Sequence, residues 1–501
     1  MKKRKKGLAV LLLGLFLFLT ACQSQGAKKD IQLVTSFYPI YEFSKKIVGD
    51  EADVQLLVQA GTEVHGYEPS AKDVSRIQEA SSFLYMDPNM EMWVPDLEKS
   101  GVLSADRTIQ ASKNLILLPG QEEDHDHDHG AEEHSHELDP HLWLSPYRAK
   151  LLVASLRDQL KERYPDQAAT FEKNAAAYLK ELDQLDKSYQ EKLAAYKGYT
   201  FLTQHTAFNY LAFDYQLQQE SIVGLSTEEE PSLKRIQELA DQVKEIGLKR
   251  IYVESSSSNK LAQTLASEAG VELGQLHTLE GVPQKDIDQG ASYVSLMEEN
   301  LVQLLAGFKD AAKPKASEPV TEKTVANGYF EDKDIKDRTL SDWEGDWQSV
   351  SPYLESGQLD QVFDYKAKKK GDKTAQEYKD YYKIGYQTDV NQIKIKGNKV
   401  TFVTDKGEET YTYKAAGYKI LTYEKGNRGV RFQFEAEEAN AGRFKYLQFS
   451  DHQIAPTQSA HFHLYFGGES QEALWEELTN WPTYYPASLT GQEVAQEMVA
   501  H

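Results

Sequence analysis

Residues 309–327, "KDAAKPKASEPVTEKTVAN", mix Ala, Lys, Pro, Ser and Glu with no apolar periodicity. That is the composition of a linker, and the rhythm of the chain differs on its two sides. At 501 residues two or more domains are expected. The reading is a first domain at 31–310, a linker at 311–325 and a second domain at 326–501.

Before the linker, short apolar runs alternate with helical stretches. Strands are predicted at Ile31–Thr35, Val54–Val58, Phe83–Met86 and Leu115–Leu118, then at Phe201–Thr203, Ile251–Val253 and Val271–Leu276. Such alternation predicts parallel sheets covered by helices. A long helical segment, Gln167 to Tyr196, separates the two sets, with Pro165 as its start signal. The first domain therefore reads as two α/β lobes joined by one long helix. After the linker, runs such as "QIKIK", "KVTFVT", "ETYTYK" and "VRFQFEA" recur near every ten residues between Gly-containing turns. They predict antiparallel hairpins closed into a small barrel, flanked by helical pieces including Gln471–Leu478.

The N-terminus has a basic head (Lys2, Lys3, Arg4, Lys5, Lys6), an apolar run from Gly7 to Leu19, and then Leu-Thr-Ala-Cys22. The run is too short to span a bilayer and reads as an export signal, residues 1–21. It resembles a bacterial lipoprotein signal, which implies lipidation of Cys22, a tether at 22–30, and attachment to the outer face of the cell membrane. Cys22 is the single cysteine, so metal sites must be built from nitrogen and oxygen, which suits zinc or manganese better than copper(I) or iron–sulfur clusters. Formal charge is −22, and losing the five basic residues of the head makes it −27. Such an excess repels nucleic acid and attracts cations, although solubility alone also accounts for it.

Thirteen histidines fall into groups. In the first domain His65, His141, His205 and Glu280 each follow a predicted strand, where ligand sites of open α/β sheets form. Four donors from four such loops, two per lobe, would meet in the cleft. His277 and Glu254 are alternatives by the same logic. Taken singly, a His after a strand is an ordinary loop residue. Phe208, Leu211, Ala212 and Tyr215 share one helical face beside His205, as simple packing requires.

The segments "GTEVHGYEPS", "DPHLWLSP" and "QHTAFNYLAFDY" resemble the histidine segments of the ZnuA type of zinc receptor, over about residues 31–310. The resemblance implies two lobes joined by a rigid helix, with His65, His141, His205 and Glu280 as ligands. Related manganese receptors carry an acidic residue where this chain has His205. Three nitrogens and a carboxylate suit tetrahedral zinc.

Residues 121–137 hold His125, His127, His129, His134 and His136 among eight carboxylates. Such a run cannot bury a core and reads as a loop for weak zinc capture, or as a tolerated surface insertion. In the second domain "DHQIAPTQSAHFHLYFGG" puts His461 and His463 two apart on a strand, both on one side, with His452 nearby. Phe462, Leu464 and Phe466 point the other way. Three converging imidazoles make a zinc site with an open fourth position. His501 is read as incidental.

"NGYFEDKDIKDRTLSDWEGDWQSVSPYL" and "LTNWPTYYP" resemble the ZinT type of periplasmic zinc protein, a calycin-like barrel. Both types on one lipid-anchored chain resemble the AdcA type of zinc-uptake lipoprotein. This implies a monomeric, non-enzymatic receptor that carries one Zn²⁺ per domain and hands it to an ABC permease and its ATPase. The rival readings are a zinc enzyme, since three His with an open position also activate water, and a surface adhesin.

Overall fold

The computed structural model describes residues 30–500, apart from 60, 61, 63, 121–137, 226–230, 255–258, 310, 315–322, 424, 425, 477 and 478. The leader, Cys22, the histidine-rich run, most of the linker and His501 lie outside the described residues. Among the described residues no helix is long and apolar enough to cross a membrane.

The first lobe is a parallel sheet in the order β2-β1-β3-β4, from β1 Ile31–Thr35, β2 Ala52–Leu56, β3 Ser82–Tyr85 and β4 Thr108–Gln110. The second repeats the plan with β6-β5-β7-β8, from β5 Thr200–Thr203, β6 Gln218–Ser221, β7 Arg250–Val253 and β8 Glu272–Gln275. Between them run the helices Pro146–Arg163 and Ala168–Leu193. The second of these buries Phe171, Ala175, Tyr178, Leu182, Leu185, Tyr189 and Leu193, a stripe at three- and four-residue spacing that fixes one face against the core. At 26 residues it reaches about 39 Å, enough to hold both lobes on a common spine.

The second domain closes into an eight-stranded barrel. Its strands are β9 Gly345–Ser349, β10 Val390–Lys396, β11 Lys399–Thr404, β12 Gly407–Thr422, β13 Arg428–Ala436, β14 Tyr446–Ser450, β15 Phe462–Gly467 and β16 Thr483–Pro486. All pairings are antiparallel, and β9 sits between β16 and β10. Trp343, Trp347, Phe402, Phe432, Phe434, Phe449, Phe462 and Tyr484 fill the interior. Three helices, Ser351–Glu355, Asp360–Lys370 and Ala375–Gly385, are inserted between β9 and β10, and Gly491–Ala500 closes the chain. Apolar residues of these helices, among them Val362, Phe363, Val494 and Met498, join one continuous apolar cluster with the first domain.

Two predicted elements differ from the structure. Leu115–Leu118 is no strand; the fourth strand is Thr108–Gln110, and the apolar quartet lies beyond it. Its backbone groups bond instead to glutamine side chains: Ile116 N–H donates to Gln361 (3.1 Å), Leu117 N–H to Gln496 (2.9 Å), and Gln492 donates to Leu115 C=O (2.6 Å). Pairing needs are met without a sheet neighbour. The helix predicted at Gln471–Leu478 is a single 3-10 turn at Glu472–Leu474 among the described residues. The Leu474 carbonyl there accepts from Arg431, which takes the group that a continuing helix would use.

Candidate metal centres

His65, His141, His205 and Glu280 each offer one donor atom, and the four atoms lie within 4.8 Å of one another. His65 comes from the connection after β2, His141 from the segment before the interlobe helices, His205 from just after β5, and Glu280 from the connection after β8. The Nε2 atoms of His65 and His141 are 3.2 Å apart. Glu280 Oε1 lies 3.8 Å from His65 Nε2 and 3.6 Å from both His141 Nε2 and His205 Nε2. Tetrahedral zinc, at about 2.0–2.1 Å from each donor, requires donor separations of about 3.3 Å. His205 Nε2 and Glu280 Oε1 are buried with no hydrogen-bond partner. Buried polar atoms of that kind are rare and suit a cation held among them.

Two of the imidazoles are oriented from behind. Asp139 Oδ1 binds His141 Nδ1 at 2.8 Å and accepts from the His141 backbone N–H at 2.9 Å. Glu254 binds His205 Nδ1. Each carboxylate directs the other nitrogen, Nε2, into the centre. Burial opposes charge on His141, yet the hydrogen bond to Asp139 and the nearby Glu280 carboxylate outweigh it and raise the pKa. For His205 burial is outweighed by Glu254 and then Glu280, so its pKa stands well above the ordinary value. Burial pushes Glu280 up, but contacts to His141, His205 and His65 hold it well below the usual carboxylate range.

The second group, His452, His461 and His463, also has donor atoms within 4.8 Å. Ring centroids are 5.5–6.0 Å apart. His463 lies on β15, paired with Ser450 and Thr483, whereas His461 stands just before the strand begins at Phe462. Phe462 and Leu464 are fully buried on the opposite side, as the alternation requires. His463 Nδ1 bonds Thr483 Oγ1 at 2.8 Å, and His461 stacks on Tyr485 at 5.0 Å with a 12° interplanar angle. Burial, then the neighbouring His452 and His461 and Arg431, hold the His463 pKa well below the ordinary value. His452 is exposed and sits at φ 63°, in the left-handed region. The centre faces a cavity of about 430 Å³ whose lining includes Tyr381, Tyr423, Arg431, Tyr465 and Trp481.

Two family models match, that of the periplasmic zinc-uptake complex component A (ZnuA) over residues 33–307 and that of ZinT (YodA), periplasmic lipocalin-like zinc recruitment, over residues 321–501. The zinc-binding lipoprotein AdcA of Streptococcus pneumoniae strain R6 is 54% identical over 490 residues, covering 97% of each chain. The chain belongs to the AdcA family. The zinc-binding protein AdcA of Streptococcus pyogenes serotype M3 is 51% identical over 496 residues, 96% of each chain. The crystal structure of Zn(II)-bound AdcA from S. pneumoniae superposes with a TM-score of 0.83 at 53% identity, covering 94% of this chain and all of that one. The two-lobed α/β domain and the calycin-like barrel are thus the architecture of the AdcA family.

Of the alternatives, His277 stays outside the first group and contacts Glu299 at 3.2 Å. Glu254 is a buried partner of His205, salt-bridged as an ordinary carboxylate would be but not on the surface. Asp139 and Thr483 were missed from sequence. Asp139 had a usable signal, since a carboxylate two residues before a His can reach its Nδ1; Thr483 is twenty residues from His463 and had none. The five histidines at 125, 127, 129, 134 and 136 lie outside the described residues.

Proposed function

We propose that this chain is an extracellular zinc receptor that captures Zn²⁺ and delivers it to an ABC permease and its ATPase for high-affinity uptake, with the second domain assisting capture. The observation that carries this is the convergence of three imidazoles and one carboxylate in the cleft between lobes. An enclosed set of that composition suits a borderline divalent ion that must be held and then released. We assign His65, His141, His205 and Glu280 as the ligands of the first zinc, and His452, His461 and His463 as those of the second.

The second centre keeps one coordination position toward the cavity, which suits rapid loading. The first supplies its own fourth donor and excludes water, which suits retention until the permease is met. Lipidation of Cys22, a tether at 22–30, a monomeric state and domain limits at 31–310 and 326–501 belong to this reading. So does a role for the histidine-rich run in weak capture. A chain acting as a transport receptor needs no catalytic group beside either ion.

Metal analysis tests the assignment. The purified chain should carry two zinc ions, and paired replacement of His141 with His205, or of His461 with His463, by alanine should each remove one. Cells whose chain lacks the first pair should fail to grow under zinc chelation. Growth equal to wild type would overturn the receptor reading.

A further inference from the structure

The second domain touches both lobes of the first at once. On the helix Asp360–Lys370, Gln361, Tyr365 and Lys368 are spaced i, i+4, i+7 and so share one face. The two ends of that face, about 10 Å apart along the axis, meet different lobes. Gln361 accepts from Ile116 N–H at 3.1 Å and donates to Asn114 C=O at 2.7 Å, on the first lobe. Lys368 donates to Asp214 at 2.9 Å, and Tyr365 stacks on Phe213 at 5.1 Å, on the second. Gln492 and Gln496, one turn apart on the C-terminal helix, complete the grip: Gln496 both accepts from Leu117 N–H (2.9 Å) and donates to Leu117 C=O (2.8 Å).

Both contact points lead directly to zinc ligands. Leu118 N–H, next to the clamped residues, donates to Tyr210 Oη (2.9 Å), and Tyr210 donates to Asp139 C=O (2.6 Å). Asp139 is the residue that orients His141. On the other lobe Asp214 ends the short helix that follows His205, and it also binds Arg148 (2.9 Å) and Ser145 (2.7 Å) at the start of the helix after His141. Asp214 is buried, so its charge is held by Arg148 and Lys368 together.

We propose that Gln361, Lys368, Gln492 and Gln496 are positioning residues for the first zinc centre, and that the second domain acts as a brace across the lobes which slows zinc release. Opening the cleft moves Leu115–Leu118 away from Asp214, and the docked helix resists that movement. The brace rests on the reading of the cleft as a zinc site, and its test separates the two. In the full chain, Lys368→Glu places a carboxylate against Asp214 and Asp364; it is combined with Gln496→Ala. Zinc stoichiometry is measured first, and two ions per chain in the variant, as in wild type, keep the cleft reading intact. Release to a chelator in excess is then followed for each centre.

The expected result is release from the first centre faster by about fivefold or more, the range of ordinary coupling between sites, with the second centre unchanged. Lys368→Arg should restore the wild-type rate. Lys379→Glu, which breaks an ion pair with Asp360 inside the second domain, should leave it unaltered. Should the double variant misfold, Gln361→Ala alone must give a smaller acceleration of the same kind. Equal release rates in the variant and wild type, or equal acceleration at both centres, would overturn the brace.

Discussion

At the first centre two imidazoles lean on buried carboxylates, Asp139 and Glu254, and a third carboxylate faces the donors. At the second, His463 leans on the hydroxyl of Thr483, and His461 lies flat on Tyr485. The same side chain is thus tuned in two directions. Carboxylates make an imidazole a stronger base, and so a stronger ligand that binds a proton more tightly as well; a hydroxyl and neighbouring imidazoles leave it neutral and ready. On the proposed assignment, one centre is suited to keep an ion and the other to meet one.

The largest test of this contrast is removal of donors. Replacing both His141 and His205 by alanine should abolish zinc at the first centre while the second still binds one ion, read by metal analysis; loss of both ions would mean that the centres are not independent. Next come the orienting carboxylates. Glu254→Gln, or Asp139→Asn, should weaken the first centre about 10- to 100-fold in a chelator competition. No weakening would show that the imidazoles hold their orientation without them.

Acidity separates the centres further. His141 and His205 have raised pKa values, so each retains its proton to higher pH and must lose it before binding zinc. Affinity there should fall as pH drops through that raised range, by about tenfold per pH unit for each proton displaced. His463, with its lowered pKa, is already neutral, so protons compete there only at lower pH. Zinc titrations of the two single-centre variants across pH should give different slopes; equal slopes would remove the distinction. The smallest effect is expected at Thr483→Val, a loss of a few-fold at most at the second centre, because a neutral hydrogen bond contributes about 1 kcal/mol.

Much of this arrangement could be read before any coordinates. The first-domain strands, apart from Leu115–Leu118 and the unforeseen β4 and β6, fell within a residue or two of their predicted limits; for β1, β3, β5 and β7 the reason is that buried parallel strands are largely apolar runs. The donors that come together had also been singled out: His65, His205 and Glu280 follow strand ends, whereas the strand expected before His141, Leu115–Leu118, is absent. What stayed hidden depends on partners distant in sequence. Leu115–Leu118 has the composition of a strand, but several of its backbone hydrogen bonds go to glutamines more than two hundred residues later. Nothing local to "QLDQVFDYKAKKK" announces that Gln361 and Lys368 will rest on two different lobes.

The backbone of His452 carries a cost that its side chain must justify. An L-residue at φ 63° is held in a conformation that glycine adopts freely and other residues resist by about 1–2 kcal/mol. A chain selected for folding alone would place glycine there. His452→Gly should therefore give an apoprotein that melts at a higher temperature and yet gathers zinc poorly, so on the proposed assignment this turn would exchange durability of the barrel for a grip on the ion.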